Sequence, residues 1–300
     1  MPNAWRDRRG GRMIEPVLQL EKQMPLPTAS AEAYAETVLR WAREIPADAG
    51  LRNIAYGPHR RHTYDVFYPH DAAGAPVVIF WHGGGWTNGH KEYGWFMAEH
   101  VTRLGAVLVL PNYRLAPESR MPAALDDCTQ LLRALAESRT FAGDMRNVYV
   151  AGHSAGGHLA ALTALRANSR RVNPDDAWSI RGCAPISGIM DISHPAPAPG
   201  SLEARVYDMV LERADDDGVC SPACWAAGNA IPFALHYGER DSPRVIRSNR
   251  RLAALLACQS APVSCHVATR LDHFDTHLAL RDPDCQWYES LNALIGGRPQ

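Results

Sequence analysis

Continuous apolar runs alternate with helix-period stretches along most of this chain. Pro76-Val-Val-Ile-Phe-Trp81, Ala106-Val-Leu-Val-Leu-Pro111 and Asn147-Val-Tyr-Val-Ala151 have no polar face, the signature of strands buried on both sides in a parallel sheet. Further short strands are expected near 180–185, at Phe233–Tyr237 and at Val263–Ala268. Helical patterns fall over about 31–45, 91–103 and 121–138, and a crossover helix should follow Ser154. Asn53–Tyr56 and His62–Tyr68 read as two strands joined by a turn at Gly57-Pro58, the second alternating Tyr64, Val66 and Tyr68 with polar positions. This order predicts an α/β fold, a mostly parallel central sheet with helices on both faces. No internal repeat is evident.

Two stretches break the rhythm. Residues 1–30 are polar or proline-interrupted and read as an N-terminal arm. Residues 187–230 carry Pro195, Pro197 and Pro199, a helical candidate at Leu202–Arg213 and a turn at Asp215-Asp-Asp-Gly218. An excursion of this length between core strands suits a lid or pocket wall, or else a solvent-facing insertion without substrate contact. With both included, residues 1–300 are expected to form one domain, since one core suffices at this length.

Composition narrows the partners. A net charge of -1 gives no reason to expect nucleic acid or an anionic membrane. The arginine-rich start lacks the apolar core of a signal peptide, and no run reaches the roughly 20 apolar residues of a spanning helix. Seven scattered cysteines, an odd number, point to a reducing, cytoplasmic location over a disulfide framework. Cys220 and Cys224 lack a second pair or suitably spaced histidine, so no metal is expected.

The candidate chemistry begins at Val150-Ala-Gly-His-Ser-Ala-Gly-Gly-His-Leu159, a G-x-S-x-G element at Gly152, Ser154 and Gly156. A strand before it and small residues after it are the setting of a nucleophile elbow. Upstream, His82-Gly83-Gly84-Gly85 follows directly on a buried strand. The amides of Gly83, Gly84 and Ala155 are placed to receive the oxygen that turns negative when a carbonyl is attacked, and losing one such donor costs about 2.7–4 kcal/mol of transition-state stabilisation. Ser154 still needs a base. In this fold class the acid and then the histidine follow the serine along the chain. Asp241 and Glu239 both lie after the strand at Phe233; Asp241 is favoured because it sits farther into the loop, before Ser242-Pro243. His273 and His277 both follow the strand at Val263; His273 is favoured because it lies closer to the strand end, while His277 begins a helical pattern.

Neighbouring residues have plainer expectations. Asp272 and Asp275 read as loop or cap residues, His266 as a packed core group, and His82 as a hydrogen-bonding support for the glycine loop. His158, one helical turn past Ser154, reads as packed. Trp86, Trp95, Trp225 and Phe274 are candidates for an aromatic substrate pocket, each with core packing as the alternative.

These motifs carry a resemblance. Over about residues 50–295 the chain resembles the α/β-hydrolase superfamily, near the hormone-sensitive-lipase-like carboxylesterases and the arylformamidases (kynurenine formamidases). His82–Gly85, Tyr113-Arg-Leu-Ala-Pro-Glu118 and Pro122-Ala-Ala-Leu-Asp-Asp127 are similar to segments of the esterases. The elbow with His153 and His158, Pro185-Ile-Ser-Gly188 with Asp191, Ser221-Pro222, Gly238–Pro243 and Asp272-His-Phe-Asp275 resemble formamidase segments; lipase-like esterases more often have aspartate at the position of His153. Gly85 departs from the formamidases, many of which have a bulky residue there. The resemblance implies a triad of Ser154, Asp241 and His273 and a cofactor-free serine hydrolase. Its expected substrate is a small aryl formamide, cleaved to formate and an aryl amine, or alternatively a short-acyl ester. A homodimer is a possible state, and a catalytically silent binding fold is the rival from another class.

Overall fold

A computed structural model describes residues 18, 20–169 and 177–296. The greater part of the expected N-terminal arm, residues 1–17 and 19, lies outside them. Helix α1 (Ala29–Arg43) starts where the Thr28 hydroxyl accepts the Ala31 N–H, and it carries Glu32 in its first turn and Arg40 and Arg43 in its last. Strands β1 (Leu51–Ala55) and β2 (Thr63–Phe67) form the expected antiparallel pair. Then come β3 (Pro76–Trp81), β4 (Val107–Pro111), β5 (Asp144–His153) and β6 (Ile180–Ile186), followed by β7 (Phe233–Gly238) and β8 (Val263–Ala268). One eight-stranded sheet results, in the order β1-β2-β4-β3-β5-β6-β7-β8. From β4 to β8 every pairing is parallel.

Between the strands run α2 (Ala98–Arg103), α3 (Ala123–Glu137), α4 (Ala155–Ser169), α5 (Leu202–Arg205) and α6 (Pro243–Ala257), then α7 (Asp275–Leu278) and α8 (Gln286–Ile295). Two buried apolar clusters contain the inward faces of α2, α3, α4, α6 and α8. Helix α4 is buried all round from Ala155 to Leu165, as a helix apolar on every face must be. It packs closely because its second residue is glycine: a Cβ on Gly156 would sit 2.0 Å from the Trp81 carbonyl oxygen.

Three expectations change. The helix over 91–103 is a 3-10 helix from Lys91 to Met97 before it becomes α2, and all seven of those residues are buried. Leu202–Arg213 does not continue as one helix. After α5 the backbone widens into a single π turn over Val206–Val210, where Leu211 N–H bonds back to Val206 O. Val210 O then accepts the Met121 N–H, and Leu211 bridges to Met121, so this pairing ends the helix. His266 is half-buried, not core, because β8 is an edge strand with only β7 beside it.

Residues 187–230 leave the sheet after β6 and return at β7 as a lid-like insertion. His158 Nε2 bonds to Cys220 O at 2.7 Å, and Arg120 donates to Leu211 O and Asp208 O, tying this segment to the body.

Candidate active site

The strand ends converge on Ser154. Its φ of +55° lies in the left-handed region, uncommon for any residue but glycine, and marks a sharp strand-to-helix turn between β5 and α4. Ile186 O at the end of β6 accepts its N–H at 2.9 Å, and its own carbonyl accepts from His158 N–H. Ser154 Oγ lies 2.8 Å from His273 Nε2, and His273 Nδ1 lies 2.8 Å from Asp241 Oδ1. An ionised carboxylate only accepts, so Nδ1 carries the ring proton and Nε2 is left to accept from the serine hydroxyl.

Asp241 is held away from water. Its side chain is fully buried, while that of His273 is 26% exposed. Its second oxygen accepts from Ser187 Oγ at 2.5 Å, and Oδ1 also accepts the Ser242 N–H. Ser242 caps α6, with Pro243 in its first turn, so the acid is anchored at a helix start. Glu239 is exposed, and its carboxylate accepts the Arg270 N–H. Asp272 caps the next turn through the N–H groups of Phe274 and Asp275. His277 is buried, stacked on Phe80, with Nδ1 2.8 Å from the Tyr34 hydroxyl. Burial pushes its pKa down to about 3, so it is neutral.

The glycine loop comes up beside the serine. A Cβ on Gly83 would lie 3.2 Å from Ser154 Cβ. The N–H groups of Gly83 and Gly84 donate to no protein acceptor among the described residues. The Ala155 N–H, first in α4, is an orphan donor by helix geometry. His82 supports this loop: Nδ1 bonds to Gly83 O at 2.8 Å, and the ring stacks on Tyr113. Burial and the nearby Arg61 hold the His82 pKa well below the usual imidazole range.

Two further supports carry no sequence signal. Gln23 pairs with the Gly89 peptide in both directions, each bond 2.7 Å, and Asn88 Nδ2 donates to Met24 O. Arg61, buried, donates to Tyr113 O and Gly89 O. A segment sixty residues upstream thus braces the loop that leads from Gly83.

The four candidate pocket aromatics separate into two pairs. Trp86, at φ +61°, donates its indole N–H to His158 Nδ1, and Phe274 packs edge-on to His273 and stacks on Tyr34. Trp95 instead donates to Asp65 Oδ2 at 2.7 Å, with the Arg52 guanidinium 4.1 Å over its ring. Trp225 donates to Val219 O and takes Arg166 over its face. Neither of the last two touches the serine–histidine–aspartate chain, because these polar and cationic partners hold them elsewhere. His158, a neutral ring with its pKa lowered to about 4 by burial, joins Trp86 to Cys220 O.

Among the described residues no helix is long and apolar enough to cross a membrane, and no group of three or more His, Cys, Asp or Glu side chains could hold a metal ion.

A family model described as the alpha/beta hydrolase fold matches residues 78–274. The chain belongs to the α/β-hydrolase family. Esterase LipQ of Mycobacterium tuberculosis is 30% identical over 254 residues, 74% of this chain and 60% of that protein, so the chain spans less than two thirds of that relative. Kynurenine formamidase of Danio rerio is 24% identical over 247 residues, 82% of each chain. Among solved structures, an esterase of Pyrobaculum calidifontis superposes with a TM-score of 0.74 at 22% identity, covering 91% of this chain and 93% of that one.

Proposed function

We propose that this protein is a serine hydrolase that cleaves a small amide or ester through an acyl-enzyme. The observation that carries the reading is the unbroken chain Ser154 Oγ–His273–Asp241, both links at 2.8 Å, beside a glycine loop with two amides that donate to no protein acceptor among the described residues. His273 takes the hydroxyl proton as Ser154 attacks the substrate carbonyl, and Asp241 stabilises the imidazolium. The amides of Gly83, Gly84 and Ala155 receive the oxyanion. His273 then protonates the leaving group, and water releases the acyl group by the same route in reverse.

Within that class the substrate proposed is an aryl formamide, giving formate and an aryl amine. It is supported by the formamidase likeness over four fifths of both chains and by histidine at position 153. Phe274 and Trp86 beside the site suit an aromatic leaving group. A short-acyl carboxylesterase is the second reading, favoured by the 30% identity to an esterase and by Gly85. The deciding experiment compares kcat/KM on N-formylkynurenine with that on p-nitrophenyl acetate, since specificity is the ratio of these constants. Efficient ester turnover with negligible formamide cleavage replaces the first substrate with the second. A folded wild type that leaves both substrates untouched removes the hydrolase reading altogether.

A further inference from the structure

The acid and the base are joined twice. Directly, Asp241 Oδ1 faces His273 Nδ1. Indirectly, Asp241 Oδ2 meets Ser187 Oγ at 2.5 Å, Ser187 Oγ meets Thr276 Oγ1 at 2.8 Å, and Thr276 Oγ1 lies 2.8 Å from the backbone carbonyl of His273 itself. The contacts close a ring around the pair. Ser187 and Thr276 are both buried, so no bulk water competes for these bonds.

Counting protons assigns the donors. Three oxygen–oxygen contacts share two hydroxyl protons, one on Ser187 and one on Thr276. A carbonyl and a carboxylate only accept, so Thr276 donates to the His273 carbonyl and Ser187 donates to Asp241, with the two hydroxyl oxygens in contact between them. The His273 carbonyl, with two lone pairs, accepts a second bond from His153 Nε2 at 2.8 Å. The backbone is bent to permit this. Ser187 has φ +48°, a conformation glycine adopts without strain, yet it carries the hydroxyl that reaches the carboxylate.

We infer that Ser187 and Thr276 are positioning residues, a two-hydroxyl relay that ties the acid to the base: Ser187 orients the Asp241 carboxylate and Thr276 holds the His273 backbone, so that the pair keeps its alignment when His273 becomes protonated. The inference rests on the acyl-transfer reading and deepens it. Neither residue touches the reacting atoms; Ser187 acts through Asp241, and Thr276 through the His273 backbone.

The test uses the full chain with p-nitrophenyl acetate, a fluorophosphonate probe and the downfield ¹H resonance of the His273 Nδ1 proton. Ser187→Gly removes the hydroxyl while giving the backbone a residue suited to its φ. It should lower kcat about tenfold, the worth of one ordinary hydrogen bond, with KM unchanged and the melting temperature held or raised. Thr276→Val should lower kcat in the same way, and Thr276→Ser should restore it. In Ser187→Gly and Thr276→Val the Nδ1 proton signal should shift from its wild-type position. Unchanged kcat in both variants, or a loss of kcat that only follows a loss of melting temperature with the resonance unmoved, overturns the relay. A folded wild type that neither turns over the ester nor accepts the probe on Ser154 overturns the acyl-transfer reading, and the relay falls with it.

Discussion

The Nε2–H of His153 donates to the backbone carbonyl of His273 at 2.8 Å. The residue just before the elbow serine thus holds the loop that brings the imidazole down onto that serine. The His153 ring is fully buried, stacked on His277 at 5.0 Å, and burial keeps its pKa well below the usual imidazole range. Its neutral, Nε2-protonated form is the one the carbonyl requires.

Replacing His153 with phenylalanine keeps a ring in the stack and removes the donor. The expected result is a fall in kcat of about tenfold, the value of one lost hydrogen bond, with the fold retained. His153→Asp should be worse, although lipase-like esterases often carry aspartate at this position. It puts an acceptor-only, charged group between buried aromatic rings and opposite a carbonyl. Steady-state kinetics and thermal melts of both variants check the order; an Asp variant as active and stable as the wild type would remove the bond from the explanation.

The two acids after β7 should separate cleanly. Asp241→Asn leaves the shape of the site intact but can hold His273 in the wrong tautomer. Its kcat should fall on the order of 10⁴-fold, the loss typical of this change in a serine protease triad. Glu239→Gln touches only the exposed bond to the Arg270 N–H and should leave kcat within about a factor of two, as surface changes typically do. The reverse ranking in a kinetic assay would move the acid to Glu239.

Two adjacent glycines should respond differently to one methyl group. At Gly84 the backbone has φ +128°, and an added Cβ would lie 2.1 Å from Asn88 O, a backbone atom that cannot step aside alone. Gly84→Ala should distort the loop, lowering kcat about a hundredfold by the measure of one lost oxyanion donor, about 2.7 kcal/mol. At Gly85, exposed, the new Cβ meets nothing nearer than Thr87 Oγ1 at 4.0 Å. Gly85→Ala carries only the strain of φ +60°, roughly 1 kcal/mol, and should keep most of the activity. Equal loss in the two variants would mean that the loop shape does not matter to the reaction.

Much of this was legible because it depends on local rules. Residues 77–81 of β3, Val107–Pro111 and residues 148–153 of β5 are buried on both faces, so their apolar runs stand out from the helices between them. Ser154, Asp241 and His273 each follow a strand end, where the fold class places a triad. What was hidden depends on contacts distant in sequence. Nothing in Lys91–Met97 says 3-10 helix in place of α-helix, and the π turn after α5 ends where Met121 captures the chain. Ser187 and Thr276 are single hydroxyls 89 residues apart, with no spacing that marks them as partners. Trp95 and Trp225 looked like pocket residues because an aromatic ring has the same letter in a core and in a cleft.

Acid should unfold this protein through its histidines. Burial holds His82 and His153 well below 6.5, His90 and His158 at about 4, and His236 and His277 at about 3. In the unfolded chain each titrates near 6.5. Below that pH the unfolded state binds protons that the folded state refuses, so stability rises with pH and is lost on acidification. Their contribution is complete above about pH 6.5 and drains away as pH falls through the folded pKa values. Each missing proton is worth about 1.4 kcal/mol per pH unit, and even three of the six give about 4 kcal/mol per unit, against a typical total of about 5–15. Asp65 works in the opposite sense, because burial raises its carboxyl pKa in the fold, and it offsets part of the loss only at the acid end. The melting temperature should therefore fall steeply between about pH 6.5 and 5, with more than two protons taken up on unfolding at pH 5 by calorimetry in buffers of different ionisation enthalpy. A melting temperature flat across that interval would show that these imidazoles are not neutral and buried in solution.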